Sequence, residues 1–128
     1  MLPDTRILAD APVVPAPDGS AVRPLCQLDG QGSFAHFQLQ PGQVSKAVSH
    51  ATVQEIWYVV AGSGEMWRRH AGGEFTVGLE PGVCLTIPLG TTFQFRASAA
   101  GLEAVAVTMP PWPVDNPDEA RVEAPHWT

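Results

Sequence analysis

Positive charge is scarce in this chain of 128 residues: 7 lysines and arginines stand against 13 aspartates and glutamates, for a formal net charge of −6. A nucleic-acid backbone would meet repulsion here instead of counterion release, so no nucleic-acid partner is expected. Cysteine is equally sparse, and Cys26 and Cys84 cannot make a disulfide framework in a chain large enough to bury its own core. Cys84 lies in the apolar run 83–87 and is expected to be a buried thiol. No apolar stretch is long enough to cross a bilayer, and residues 1–6 show no basic region leading into an apolar segment. The expectation is a cytoplasmic protein with no membrane partner. Helical-period apolar runs are also missing. What remains is 13 prolines and 12 glycines in a chain that is 45% hydrophobic, the composition of short strands joined by tight turns.

The length suits one domain over residues 1–128. Its organisation reads as a proline-rich N-terminal arm (1–30), a β-rich body (31–109) and a tail rich in proline and tryptophan (110–128). Trp112 and Trp127 suggest that the tail packs on the domain. Within the body, residues 55–60 form a strand on which Glu55, Trp57 and Val59 share one face and Ile56, Tyr58 and Val60 the other. Both faces are largely apolar, so the outer one needs cover. A homodimer or a terminal arm would supply it.

Two spacing patterns dominate the centre of the chain. The first runs from Gly42 through Val48, His50 and Glu55 to Gly62; the second runs from Gly82 through Pro88, Gly90 and Phe93 to Ala97. Together they resemble the paired motifs of the cupin superfamily, in which the first carries two histidines and a glutamate and the second a further histidine. The resemblance covers the central half of the chain and implies an all-β fold, an antiparallel jelly-roll β-barrel (double-stranded β-helix). It also implies where a metal would sit: the histidines and the glutamate of metal-binding cupins converge on one divalent ion. Carried across residue by residue, this chain keeps His50 and Glu55, but Val48 and Phe93 replace the other two ligands and Ala97 replaces an asparagine. Transition-metal sites usually require three or more protein ligands. A cofactor is therefore not expected, and His50 and Glu55 alone are weak metal candidates.

The fold houses many chemistries, so function has to come from the site. His50 and Glu55 are the candidate catalytic pair, since a carboxylate beside an imidazole can orient it and favour its charged form for acid–base work. Trp57, Phe93 and Phe95 would line the pocket with aromatic walls, and Val48, Gln38 and Lys46 lie on strands that could bring them to it. His36 reads as a surface or rim histidine. His70 and His126 read as exposed. The leading expectation is a protein that binds a small polar or carbohydrate-like molecule in the barrel, with metal-independent acid–base chemistry as its possible activity. The alternatives are a metal-dependent isomerase or dioxygenase using His50, Glu55 and a substitute ligand, and a non-catalytic sensor or binding module. The residues alone leave open whether the chain is an enzyme.

Overall fold

The computed structural model describes residues 1–128 and contains no α-helix. Nine strands follow one another: β1 (Val14–Pro15), β2 (Ala21–Leu28), β3 (Gly32–Leu39), β4 (Val48–His50), β5 (Gln54–His70), β6 (Gly73–Leu79), β7 (Cys84–Ile87), β8 (Thr92–Met109) and β9 (Ala120–Val122). All pairings are antiparallel. No helix is long and apolar enough to cross a membrane.

The long strands β5 and β8 make the barrel. The N-terminal half of β5 pairs with the C-terminal half of β8, in a layer with β1, β2, β3 and β7. Their other halves pair again in a second layer with β4, β6 and β9. The register between β5 and β8 shifts at Val59/Ala61 and Gly62/Gly64. Such bulges bend and twist a strand, which lets one chain segment pass from one layer to the other.

One end of the space between the layers is filled by Leu39, Met66, Leu79, Phe95, Ala97 and Leu102. At the other end β8 presents Ala104, Ala106 and Thr108 inward at every second position, all buried. Ala106 lies across from Trp57 and Ala104 from Phe37, so small residues on the shared strand leave room for two large rings. Those rings stack with centroids 5.0 Å apart and planes inclined by 15°.

The terminal segments are part of this architecture. Residues 1–30, expected as an arm, include β2, which pairs along β3. The tail adds β9 to β4, and its end closes over the outer face of the second layer. There the buried Gln94 donates to the Trp127 carbonyl at 2.9 Å and accepts from the His126 and Trp127 amides at 2.9 and 2.8 Å. His126 stacks on Trp67 at 4.8 Å, and the Arg96 guanidinium sits 4.3 Å over the Trp127 ring.

Three expectations about burial need correction. Cys84 is exposed, because the alternation of β7 turns Leu85 and Ile87 inward instead. His36 is buried and not a rim residue: it faces outward from β3, beneath neighbours that include Glu103, whose carboxylate lies 3.6 Å from Nε2. Burial lowers its pKa, with Glu103 raising it in part. His70 is half-buried, with Nδ1 at 2.9 Å from the Thr91 hydroxyl, whereas His126 is exposed. On β5, Ile56, Tyr58 and Val60 do face outward, with Ile56 40% and Tyr58 49% exposed.

Candidate functional site

The open end of the barrel encloses a cavity of about 330 Å³. Glu55 and Trp57 enter it from β5, Val48 and His50 from β4, Phe93 and Thr108 from β8, and Ser33 and Phe37 from β3. Two segments outside the motifs close it: residues 14–18 on one side, and Trp112, Val114, Asn116 and Pro117 of the tail on the other. The tail is fastened at both ends of this span. The Trp112 amide donates to Ser33 Oγ at 2.9 Å, while the fully buried Glu119 accepts from the Thr52 amide at 2.8 Å and from its hydroxyl.

Val48 and Phe93 are direct cross-strand partners. The two replaced positions of the motifs therefore pack together, both buried, and Phe93 meets the His50 ring edge-on at 5.3 Å. An apolar pair occupies the ground where ligand atoms would converge. No group of three or more His, Cys, Asp or Glu side chains is placed to hold a metal ion, so the donors present do not fit a divalent cation.

Glu55 is 3% exposed, and its Oε2 accepts a hydrogen bond from Trp57 Nε1 at 2.8 Å. Alternation places the two residues on the same face of β5, which is why the indole can reach back to the carboxyl. No hydrogen bond within the protein engages Oε1. Burial raises the Glu55 pKa from 4.5 to about 7, against the Trp57 bond, which lowers it; the nearby Asp18 adds to the rise. Asp18 is itself 7% exposed, and its Oδ1 accepts from the Ser20 amide at 2.9 Å and the Ser20 hydroxyl at 2.6 Å. Burial raises its pKa as well.

His50 behaves in the opposite sense. Burial lowers its pKa from 6.5 to about 4, with Glu119 opposing. Its ring is flanked edge-on by Phe93 and, at 5.1 Å, by Trp112, and its buried Nδ1 has no hydrogen-bond partner. The expected coupling of His50 to Glu55 is not what the structure contains. No hydrogen bond joins them, the carboxyl is engaged by Trp57, and the charge that acts on the imidazole is that of Glu119. The site thus holds a neutral imidazole and a carboxyl that titrates near neutrality.

Of the residues singled out in the sequence, His50, Glu55, Trp57, Phe93 and Val48 meet in the cavity. Phe95 does not line it; it is buried behind Trp57, with ring centroids 5.0 Å apart. Gln38 lies on the outward face of β3 and Lys46 is exposed, so neither reaches the cavity. Sequence reasoning missed Asp18, Ser33, Phe37, Thr108 and Trp112. Asp18 sits in a Pro-Asp-Gly-Ser stretch that reads as a turn, and only the tryptophan content of the tail hinted at Trp112.

A family model described as a cupin domain matches residues 35–109. A comparison with curated proteins finds no match. Among solved structures, the chain is similar to the capsular polysaccharide assembling protein CapF from Staphylococcus aureus, with a TM-score of 0.68 and 17% identity over 87% of this chain and 34% of that one. It is similar to Bacillus subtilis oxalate decarboxylase OxdC, with a TM-score of 0.77 and 16% identity over 95% and 33%. A Streptomyces PAC13 variant with uridine gives a TM-score of 0.74 and 17% identity over 96% and 92%. The chain thus spans about a third of the length of CapF and OxdC. At these identities the likeness concerns the fold.

Proposed function

This chain belongs to the cupin family, and from that premise we propose that its barrel cavity binds a small, polar, ring-bearing molecule, the carbohydrate-like class included, and that Glu55 exchanges a proton with it without a metal. One observation carries the reading: a carboxyl that is 3% exposed stands in a cavity of about 330 Å³ with one oxygen held by Trp57 and the other free of protein partners. Burying such a group unpaired is costly unless a ligand or water completes it. Trp57, Phe93 and Phe37 supply flat apolar walls around that one polar group, the ordinary make-up of a small-molecule site. PAC13, of nearly equal length, is seen with uridine, a molecule of this general kind.

In this reading the ionised Glu55 is the base, accepting a proton from the bound molecule at Oε1, while His50 stays neutral. Turnover in a screen of small hydroxylated and carbonyl compounds should then rise with pH through about 7. Glu55→Gln should lower it on the order of a hundredfold or more, the usual scale for a lost general base. Protein purified without chelator should carry no stoichiometric transition metal. About one metal per chain, lost in His50→Ala, would restore a metalloenzyme, and ligand binding that is unchanged in Glu55→Gln with no turnover would leave a binding module.

We also propose a homodimer through the face bearing Ile56, Tyr58 and Val60, which stay exposed in the single chain. Light scattering at micromolar concentration should give twice the chain mass, and Ile56→Glu should return it to one. Two free cysteines, with Cys84 exposed, support a reducing, cytoplasmic setting.

A further inference from the structure

The charge of the cavity wall is one-sided. Asp18 and Glu55 are its carboxyls, each more than nine-tenths buried, and neither lysine nor arginine lines it. No protein donor reaches Glu55 Oε1 or Asp18 Oδ2: Trp57 takes the other oxygen of the first, and Ser20 the other oxygen of the second. The remaining side chains that line it are aromatic, aliphatic or neutral polar. His50, the one other titratable group at the wall, is neutral across the physiological range.

We propose that the ligand of this cavity carries an amine, bound as its ammonium ion by the carboxyls of Glu55 and Asp18, with its apolar body against Trp57 and Phe93. This rests on the reading of the cavity as a small-molecule site and names the chemical class it takes. An ammonium group supplies the donors that the two carboxyls lack, and it removes the repulsion that two ionised carboxylates would otherwise exert on each other. The aromatic faces around it add attraction for a cation that a neutral ligand would not feel. A carboxylate or phosphate ligand would meet the same two groups as repulsion with no basic residue to offset it. The balance of charge makes the class specific in a way that cavity shape does not.

The groups that face Glu55 set the pH dependence. Asp18, its own pKa raised by burial, raises that of Glu55; His50 on β4 is neutral above about 4, and the charge of Glu119 acts on His50. Binding an ammonium ion requires Glu55 to lose its proton, so affinity should climb as pH rises through about 7 and level off above it, until the amine itself deprotonates.

The test is calorimetric titration of the full chain at pH 8 with three compounds of one shape: phenethylamine, phenethyl alcohol and hydrocinnamate. The amine should bind about tenfold or more tighter than the alcohol, and hydrocinnamate weakest of the three. Its affinity should fall about tenfold for each pH unit below 7 while that of the alcohol stays level. Glu55→Gln should erase the preference for the amine and keep binding of the alcohol, with Asp18→Asn reducing the same preference if the first variant misfolds. Alcohol or hydrocinnamate binding as tightly as the amine would overturn the amine assignment and leave the small-molecule reading standing. If none of the three binds, both fall.

Discussion

Glu55→Gln should turn a level pH–stability profile into a tilted one. In the wild type two buried groups pull in opposite directions. The Glu55 pKa is raised from 4.5 to about 7, so between those values the folded protein holds a proton that the unfolded chain has released, and stability falls as pH rises. The His50 pKa is lowered from 6.5 to about 4, so between those values the unfolded chain takes up a proton that the folded protein refuses, and stability falls as pH drops. Each effect is worth about 3 kcal/mol across its window, and over the shared span the slopes offset each other. Asp18, raised, acts in the same sense as Glu55, and His36, lowered, in the same sense as His50.

With glutamine at position 55 the carbonyl can still accept from Trp57, the Glu55 slope disappears and that of His50 is no longer offset by it. Urea melts at pH 4.5 and 6.5 should then differ by about 3 kcal/mol in the variant and hardly at all in the wild type. At pH 8 the variant should be the more stable protein, since a buried carboxylate no longer has to be ionised. Superimposable pH profiles for the two proteins would show that Glu55 is not desolvated as described.

Gly62→Ala should cost about 4 kcal/mol, enough to lower the melting temperature by about 15 °C in a domain of this size. Gly62 has a φ of +75°, a left-handed conformation that alanine adopts only with strain. A Cβ there would also fall well inside van der Waals contact of the Gly101 carbonyl oxygen on β8. The obstruction is backbone, which cannot swing aside as a side chain would. It lies where β5 and β8 shift register and pass between the layers, so relief would mean moving the shared strands of the barrel. A melting temperature within a few degrees of wild type would indicate that the two strands separate more easily at the bulge than the packing implies.

Much of the fold was legible because strand alternation and turn chemistry are local. Proline and glycine at 81–82, 88 and 90 mark the turns around β7, and the order of apolar and polar residues on β5 was enough to assign Glu55 and Trp57 to one face and Ile56 and Tyr58 to the other. The resemblance to the two cupin motifs, carried across position by position, marked Val48 and Phe93 as lost ligand positions. Alternation fails, however, to say which face is inside: it put Cys84 in a buried run when β7 turns it out, and it let Gln38 stand as a pocket residue when β3 turns Phe37 in and Gln38 away.

The residues that give the site its electrostatics are distant in sequence and met only through the barrel. Asp18 arrives from before β2, Trp112 from beyond β8, and Glu119 reaches His50 from the tail. Their effect is a matter of desolvation, which depends on everything that excludes water from a point and leaves no trace in the spacing of one strand. That is why the sequence by itself determined an all-β chain of the cupin family, with His50 and Glu55 kept and the metal positions filled by apolar side chains. The tertiary structure decided that these two groups act separately, one neutral and one titrating near neutrality, because burial by remote segments outweighs any attraction between them.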